Sequence, residues 1–150
     1  MHQKDIIDVL NKLIETSKDG QNGFQSCAEH AKSSGLREVL LARSAECQSA
    51  MAELQVLVSE CGGKPDDGGT MSGAIHRGWV TVRGTLAGFT DVGLLEECER
   101  GEDVAKARYL KAMQQPLPDA IRSIVERQYQ GVLRNHDLIK TMRDQCRAAA

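Results

Sequence analysis

Glu99 and Glu102 are the two acidic residues in this chain best spaced to act together, because residues three apart share a helix face. Arg43 is the basic residue most in need of them. It stands on a row (Leu36, Leu40, Arg43, Cys47, Ala50, Leu54, Leu57, Cys61) that is otherwise small or apolar and recurs at spacings of four and three. A guanidinium on such a face cannot shed its charge, so it calls for a carboxylate, and Glu99 or Glu102 can supply one. Gln128 and Asn135 fall on the equivalent row near the C-terminus. The expectation is a buried polar network of Arg43, Glu99, Glu102, Gln128 and Asn135. A pair of this kind specifies helix register more than it adds stability.

Other residues suit weaker chemistry. His76-Arg77-Gly78-Trp79 is the most distinctive short string, and Trp and Arg are enriched at interface hot spots. His76, Arg77 and Trp79 therefore form a candidate contact site, although Trp79 also lies on an apolar stripe that can pack inward. His136-Asp137 are neighbours that do not face each other on a helix. Cys27, Cys47, Cys61, Cys98 and Cys146 form no C-x-x-C and have no histidine at zinc-ligand spacing. They are expected as small apolar fillers. No phosphate-binding glycine loop or nucleophile elbow is present.

The elements that must position these residues read as helices. The first runs over 3–33, with a seam of Ile6, Leu10, Leu13, Ser17, Gly20, Phe24, Cys27 and Ala31. Gly20 and Gly23 cost it about 1 kcal/mol each relative to alanine, and a glycine in a seam lets a neighbour approach closely. The second runs over 36–61 and pairs with the first as a hairpin. A linker rich in glycine and aspartate follows. Residues 71–88 are predicted as a shorter crossover helix, or as a segment that kinks into the next one, with Asp91 as the next N-cap. The fourth runs over 92–113, with seam Leu95, Cys98, Glu102, Ala105, Tyr109 and Ala112. The last runs over 119–146, with seam Ile121, Val125, Gln128, Val132, Asn135, Ile139 and Met142.

The 150 residues make one domain. A net charge of −2 and 3% aromatics argue against a nucleic-acid partner, which needs a basic surface or a stacking platform. No apolar run reaches the length of a membrane span or a signal h-region, so the expected location is cytoplasmic and no membrane partner is expected.

Several local strings resemble one bacterial family of uncharacterised four-helix-bundle proteins. They are Leu10 to Glu15 followed by Lys18-Asp19-Gly20 and Gly23-Phe24, Gly73 to Trp79, Glu96 to Asp103, and Arg127-Gln128-Tyr129 with His136-Asp137. The resemblance spans almost the whole chain and implies an all-α, ferritin-like four-helix bundle with an additional crossover helix. Ferritin-like enzymes hold two metals with a Glu from each of two helices and a Glu-x-x-His from each of the other two. Neither Glu-x-x-His occurs here: Glu46-x-x-Ser49 and Glu126-x-x-Tyr129 stand instead. The expectation is a bundle with a degenerate dimetal site, no cofactor and no catalytic residues, acting through self-association or an unknown protein partner. The alternative is an iron or manganese carboxylate protein using Glu99, Glu102 and His136. A third reading is a small-molecule-binding bundle in which the glycines near residue 20 leave a cavity.

Overall fold

The computed structural model describes residues 1–66, Trp79 and residues 88–149. Among these, all regular structure is helical: α1 (Gln3–His30), α2 (Ser34–Glu60), α3 (Asp91–Met113) and α4 (Asp119–Ala148). The predicted helix over 71–88 lies outside the described residues, save for Trp79 and Gly88.

Every seam residue proposed for α1 is buried, and those of α2, α3 and α4 are buried or half-buried. Two of the boundaries have clear local causes. α1 stops at His30, short of the predicted residue 33, because Ala31 turns extended and the next two backbone N–H groups leave the helix. They donate to Asp91, Lys32 N to Oδ1 at 2.8 Å and Ser33 N to Oδ2 at 3.0 Å. Ser33 then caps α2, its Oγ accepting from Leu36 N at 3.3 Å, so α2 begins at Ser34 rather than 36. Asp91 is therefore not the N-cap of α3. Thr90 takes that role through Gly93 N at 3.1 Å, which frees the Asp91 carboxylate to clasp the turn between α1 and α2. α4 starts after Pro118, whose fixed φ suits a helix entry, and extends to Ala148.

α1 packs along α2, α3 along α4, and α1 against α3, while α2 and α4 approach each other only sparsely. α2 ends beside the start of α1, where Gln3 Nε2 donates to the Cys61 carbonyl and Asp66 N donates to Asn11 Oδ1 at 2.9 Å. α3 begins beside the end of α1, at Asp91. The connection from α2 to α3 thus joins opposite ends of the bundle, with Trp79 between them.

Two apolar cores fill the ends. One gathers Leu10, Leu13, Ile14, Leu54, Val58, Ile121 and Val125. The other gathers Phe24, Cys27, Leu36, Leu40, Leu94, Leu95, Cys98, Ile139 and Trp79. Each such aliphatic side chain contributes about 1.5–3 kcal/mol on full burial. The layer between them carries most of the buried polar groups, Arg43, Glu102 and Gln128 among them.

Candidate functional site

Arg43 and Glu102 occupy that middle layer, one from the centre of α2 and one from the centre of α3. Arg43 Nε and Nη2 both donate to Glu102 Oε1 at 3.3 Å, and Nη1 donates to Glu46 at 3.2 Å. The guanidinium carbon also lies 5.7 Å from the Phe24 ring centroid, within cation–π range. Glu102 is 1% exposed. Burial pushes its carboxyl above the ordinary carboxylate range, and Arg43, His136 and Asn135 only partly offset this. Burial opposes the charge on Arg43 as well, but its acidic neighbours more than restore it. Cys47, one turn along α2, is pushed up to about 12 by burial and stays a thiol at neutral pH.

A second cluster lies nearer the α2 C-terminus. Tyr109 Oη donates to Gln128 Oε1 at 2.8 Å, and Gln128 Nε2 donates to Glu53 at 2.8 Å and to the Ala50 carbonyl at 3.3 Å. Arg127 pairs with Glu53 at the surface. Burial raises the Tyr109 hydroxyl well above its usual value.

Both clusters border one cavity of about 560 Å³. It sits where α2 and α4 diverge. Small residues (Ala45, Ser49 and Ala50 on α2, Gly131 on α4) line it where these helices stay sparsely in contact, and Ser17, Gly20, Glu102 and Tyr109 from α1 and α3 also border it. Trp79 closes one side. Its ring lies between Gly23 of α1 and Gly101 of α3 and meets Phe24 edge-on, with centroids 4.9 Å apart. A Cβ at Gly23 or Gly101 would come within 2.3 or 2.2 Å of that ring, so only glycine admits it.

A protein-family model described as "Domain of unknown function (DUF2383)" matches residues 5–115, well over half of the 150-residue chain. The chain belongs to this family. The match takes in α1, α2, α3 and the Arg43–Glu102 pair, and ends before α4. A comparison with curated proteins finds no match.

Within this DUF2383 chain the residues singled out from sequence separate into three places. Arg43 and Glu102 meet directly. Glu99 faces the other way and pairs with Arg143 of α4. Gln128 belongs to the Tyr109–Glu53 cluster, and so is not bonded to Arg43. Asn135 is buried close to Glu102 and eases its charge, yet its Nδ2 and Glu102 Oε2 both lack a hydrogen-bond partner among the described residues. His136 is half-buried and bonds to Asp103 Oδ1 at 2.7 Å rather than to Asp137. His76 and Arg77 lie outside the described residues. Trp79, at 3% exposed, packs inward.

The three metal candidates from sequence do not form one set. The ligand atoms of Glu99, Asp103 and His136 lie within 4.8 Å of one another, with Asp103 in the place expected for Glu102. Asp103 is four residues beyond Glu99, so the same-face spacing that picked out Glu99 could also have found it. Gly101 and Arg143 carried no comparable signal. The middle layer does not fit a dimetal centre. Arg43 holds Glu102, and a fixed guanidinium would repel a divalent cation there.

The Glu102 shift gives stability a pH dependence. A carboxyl that holds its proton more tightly folded than unfolded contributes fully below the ordinary carboxylate pKa. That contribution is lost as pH rises through the higher folded value. Stability measured against Glu102→Gln should therefore fall between pH 4 and pH 7 in urea titrations. A flat or rising difference would show that the folded carboxyl is not raised.

Proposed function

We propose that this chain is a non-enzymatic, ferritin-like bundle whose mid-bundle cavity holds a small polar molecule where metal-loaded relatives of that fold carry their chemistry. The observation that carries this reading is the cavity of about 560 Å³ between α2 and α4, a size that suits a small ligand. Its walls mix apolar surface with a few fixed polar groups, the usual makeup of a ligand pocket. Self-association through the His76–Trp79 string is less well supported, because the indole is consumed in the core.

Gly131 offers a clean test. A Cβ there meets only Arg134 Nη2, at 3.6 Å, and Gly131 borders the cavity, so Gly131→Phe is expected to fill part of it. Parent and variant would each be equilibrated by dialysis with a metabolite extract, and retained small molecules identified by mass spectrometry. The parent should retain at least one compound that Gly131→Phe, equally helical by circular dichroism, does not. Equal retention by both, or none by the parent, removes the reading.

The convergence of Glu99, Asp103 and His136 favours one second reading, a single divalent cation bound at the edge of α3 and α4. Arg143 already pairs with Glu99 and would compete with such an ion. Metal content after anaerobic incubation with Fe(II) or Mn(II) separates the two: stoichiometric metal with a raised melting temperature supports the cation.

A further inference from the structure

The outward face of α2 lacks the charges that the outward face of α4 presents to water. From Leu41 to Ser59 the exposed residues of α2 are small, apolar or neutral, apart from Glu46, which Arg43 already holds. Over a similar length α4 exposes Glu126, Arg134, Asp137 and Lys140. Leu41 is 46% exposed and Val56 56%. Among the described residues no other helix covers this face, since α2 packs on α1 and only sparsely on α4. Depletion of charge, more than bulk hydrophobicity, marks the core of a protein interface.

The strip is also self-complementary. Leu41, Ala45, Gln48, Ser49, Ala52 and Val56 are placed symmetrically about the midpoint between Gln48 and Ser49. A second α2 laid antiparallel, with a two-fold axis at that midpoint, sets Leu41 against the partner's Val56 and Ala45 against the partner's Ala52. Ala52, Gln55, Val56 and Ser59 surround a shallow groove on this face. Their spacing is that of the four-residue hole that receives a knob between packed helices. In this register the partner's Leu41 is the knob. The same pairing brings the exposed Arg37 level with the partner's Glu60 and with the last carbonyls of that helix, a favourable meeting of charge and dipole. A parallel pair would instead set Arg37, Glu38 and Glu60 each against its own copy.

We propose that this face of α2 is the interface of a homodimer, in which two copies of the helix pack antiparallel about the Gln48–Ser49 midpoint. A two-fold pair needs one patch that complements itself, and the strip meets that condition. It is about 27 Å long and ~12 Å across. That is well short of the ~800 Å² per partner of a standard interface, so the dimer is a weak, reversible one. Ala45 and Ser49 also border the cavity, so the partner's α2 runs beside its edge. Dimerisation does not depend on a cavity ligand.

Sedimentation velocity on the full chain reads the pairing, and the parent should pass from monomer to dimer between about 10 µM and 1 mM. Ala45→Lys and Ala52→Glu each put a charge at an exposed position on the strip. Each should raise the dimer dissociation constant about tenfold or more, with helicity and melting temperature kept. Mixed in equal amounts, the two variants should pair again, because the antiparallel register sets the new lysine of one chain against the new glutamate of the other. A parallel pair sets each position on its own copy and gives no such rescue. Leu138→Glu, at an exposed leucine of α4, should leave pairing unchanged. A parent that stays monomeric throughout would overturn the proposal. So would single variants that pair like the parent, a mixture that does not recover, or loss of pairing in Leu138→Glu.

Discussion

Arg43→Met is expected to lower the unfolding free energy at pH 7 by about 3–5 kcal/mol, the usual cost of breaking a buried ion pair from one side. The arginine is 7% exposed and supplies the donors that Glu102 Oε1 accepts. Methionine fills most of the same volume, so the loss would come from the stranded carboxylate rather than from a cavity. Glu102 has one escape, which is to take up a proton, and burial already pushes it that way. The loss should therefore shrink markedly at pH 4. Replacing both partners, Arg43→Met with Glu102→Leu, should recover most of the stability, because no uncompensated charge remains. Urea unfolding of the parent, both single variants and the double variant at the two pH values measures all of this. A single Arg43→Met variant that melts with the parent at pH 7 would show that the pair is not what keeps Glu102 buried.

The second large effect belongs to the tryptophan slot. Gly101→Ala would put a Cβ 2.2 Å from Trp79 Cε2 and Cζ2, and Gly23→Ala would put one 2.3 Å from Cδ2. The indole is 3% exposed and both glycines meet it, so each change should destabilise by about 1–3 kcal/mol, the ordinary cost of overpacking. Trp79 is the only tryptophan in the chain, so its emission should shift to longer wavelength as the indole is pushed toward water. In a Trp79→Ala background the Gly101→Ala penalty should largely vanish, a non-additivity that isolates the contact. Gly131→Ala is the control. Its Cβ has room, and the gain in helix propensity should make it neutral or stabilising by up to about 1 kcal/mol. Equal effects at Gly101 and Gly131 would mean that the slot plays no part.

What could be read from the sequence is what depends on one helix at a time. Period and caps place the four long helices to within a few residues, and the seams pick out Leu10, Leu40, Glu102 and Ile139 as buried because each face repeats along its own helix. Partnership across helices depends on how the helices slide past one another, and no single-helix pattern records that. Hence Glu99 was expected beside Arg43 but lies against Arg143, and Gln128 was expected in the same network but bonds to Tyr109. Gly20 and Gly23 drew notice because they interrupt a seam. Gly101 sits one place off its seam, beside Glu102, and gave no sign that an indole rests on it. Asp91 looked like a cap because capping is local, whereas its carboxylate serves a turn 58 residues earlier.

The polar layer between the two apolar cores also divides the molecule along its axis. Each helix contributes one half to one core and its other half to the other, and the layer between is held by a few directional bonds rather than by continuous packing. Partial opening should therefore follow height in the bundle, not chain connectivity. The amides of early α1, late α2, late α3 and early α4 would exchange with solvent as one cooperative slab, and the opposite ends of the same four helices as another. On this view no helix, and no hairpin, is a unit of stability; the barrel is two stacked discs sharing a wet seam, and the ligand cavity lies where they meet.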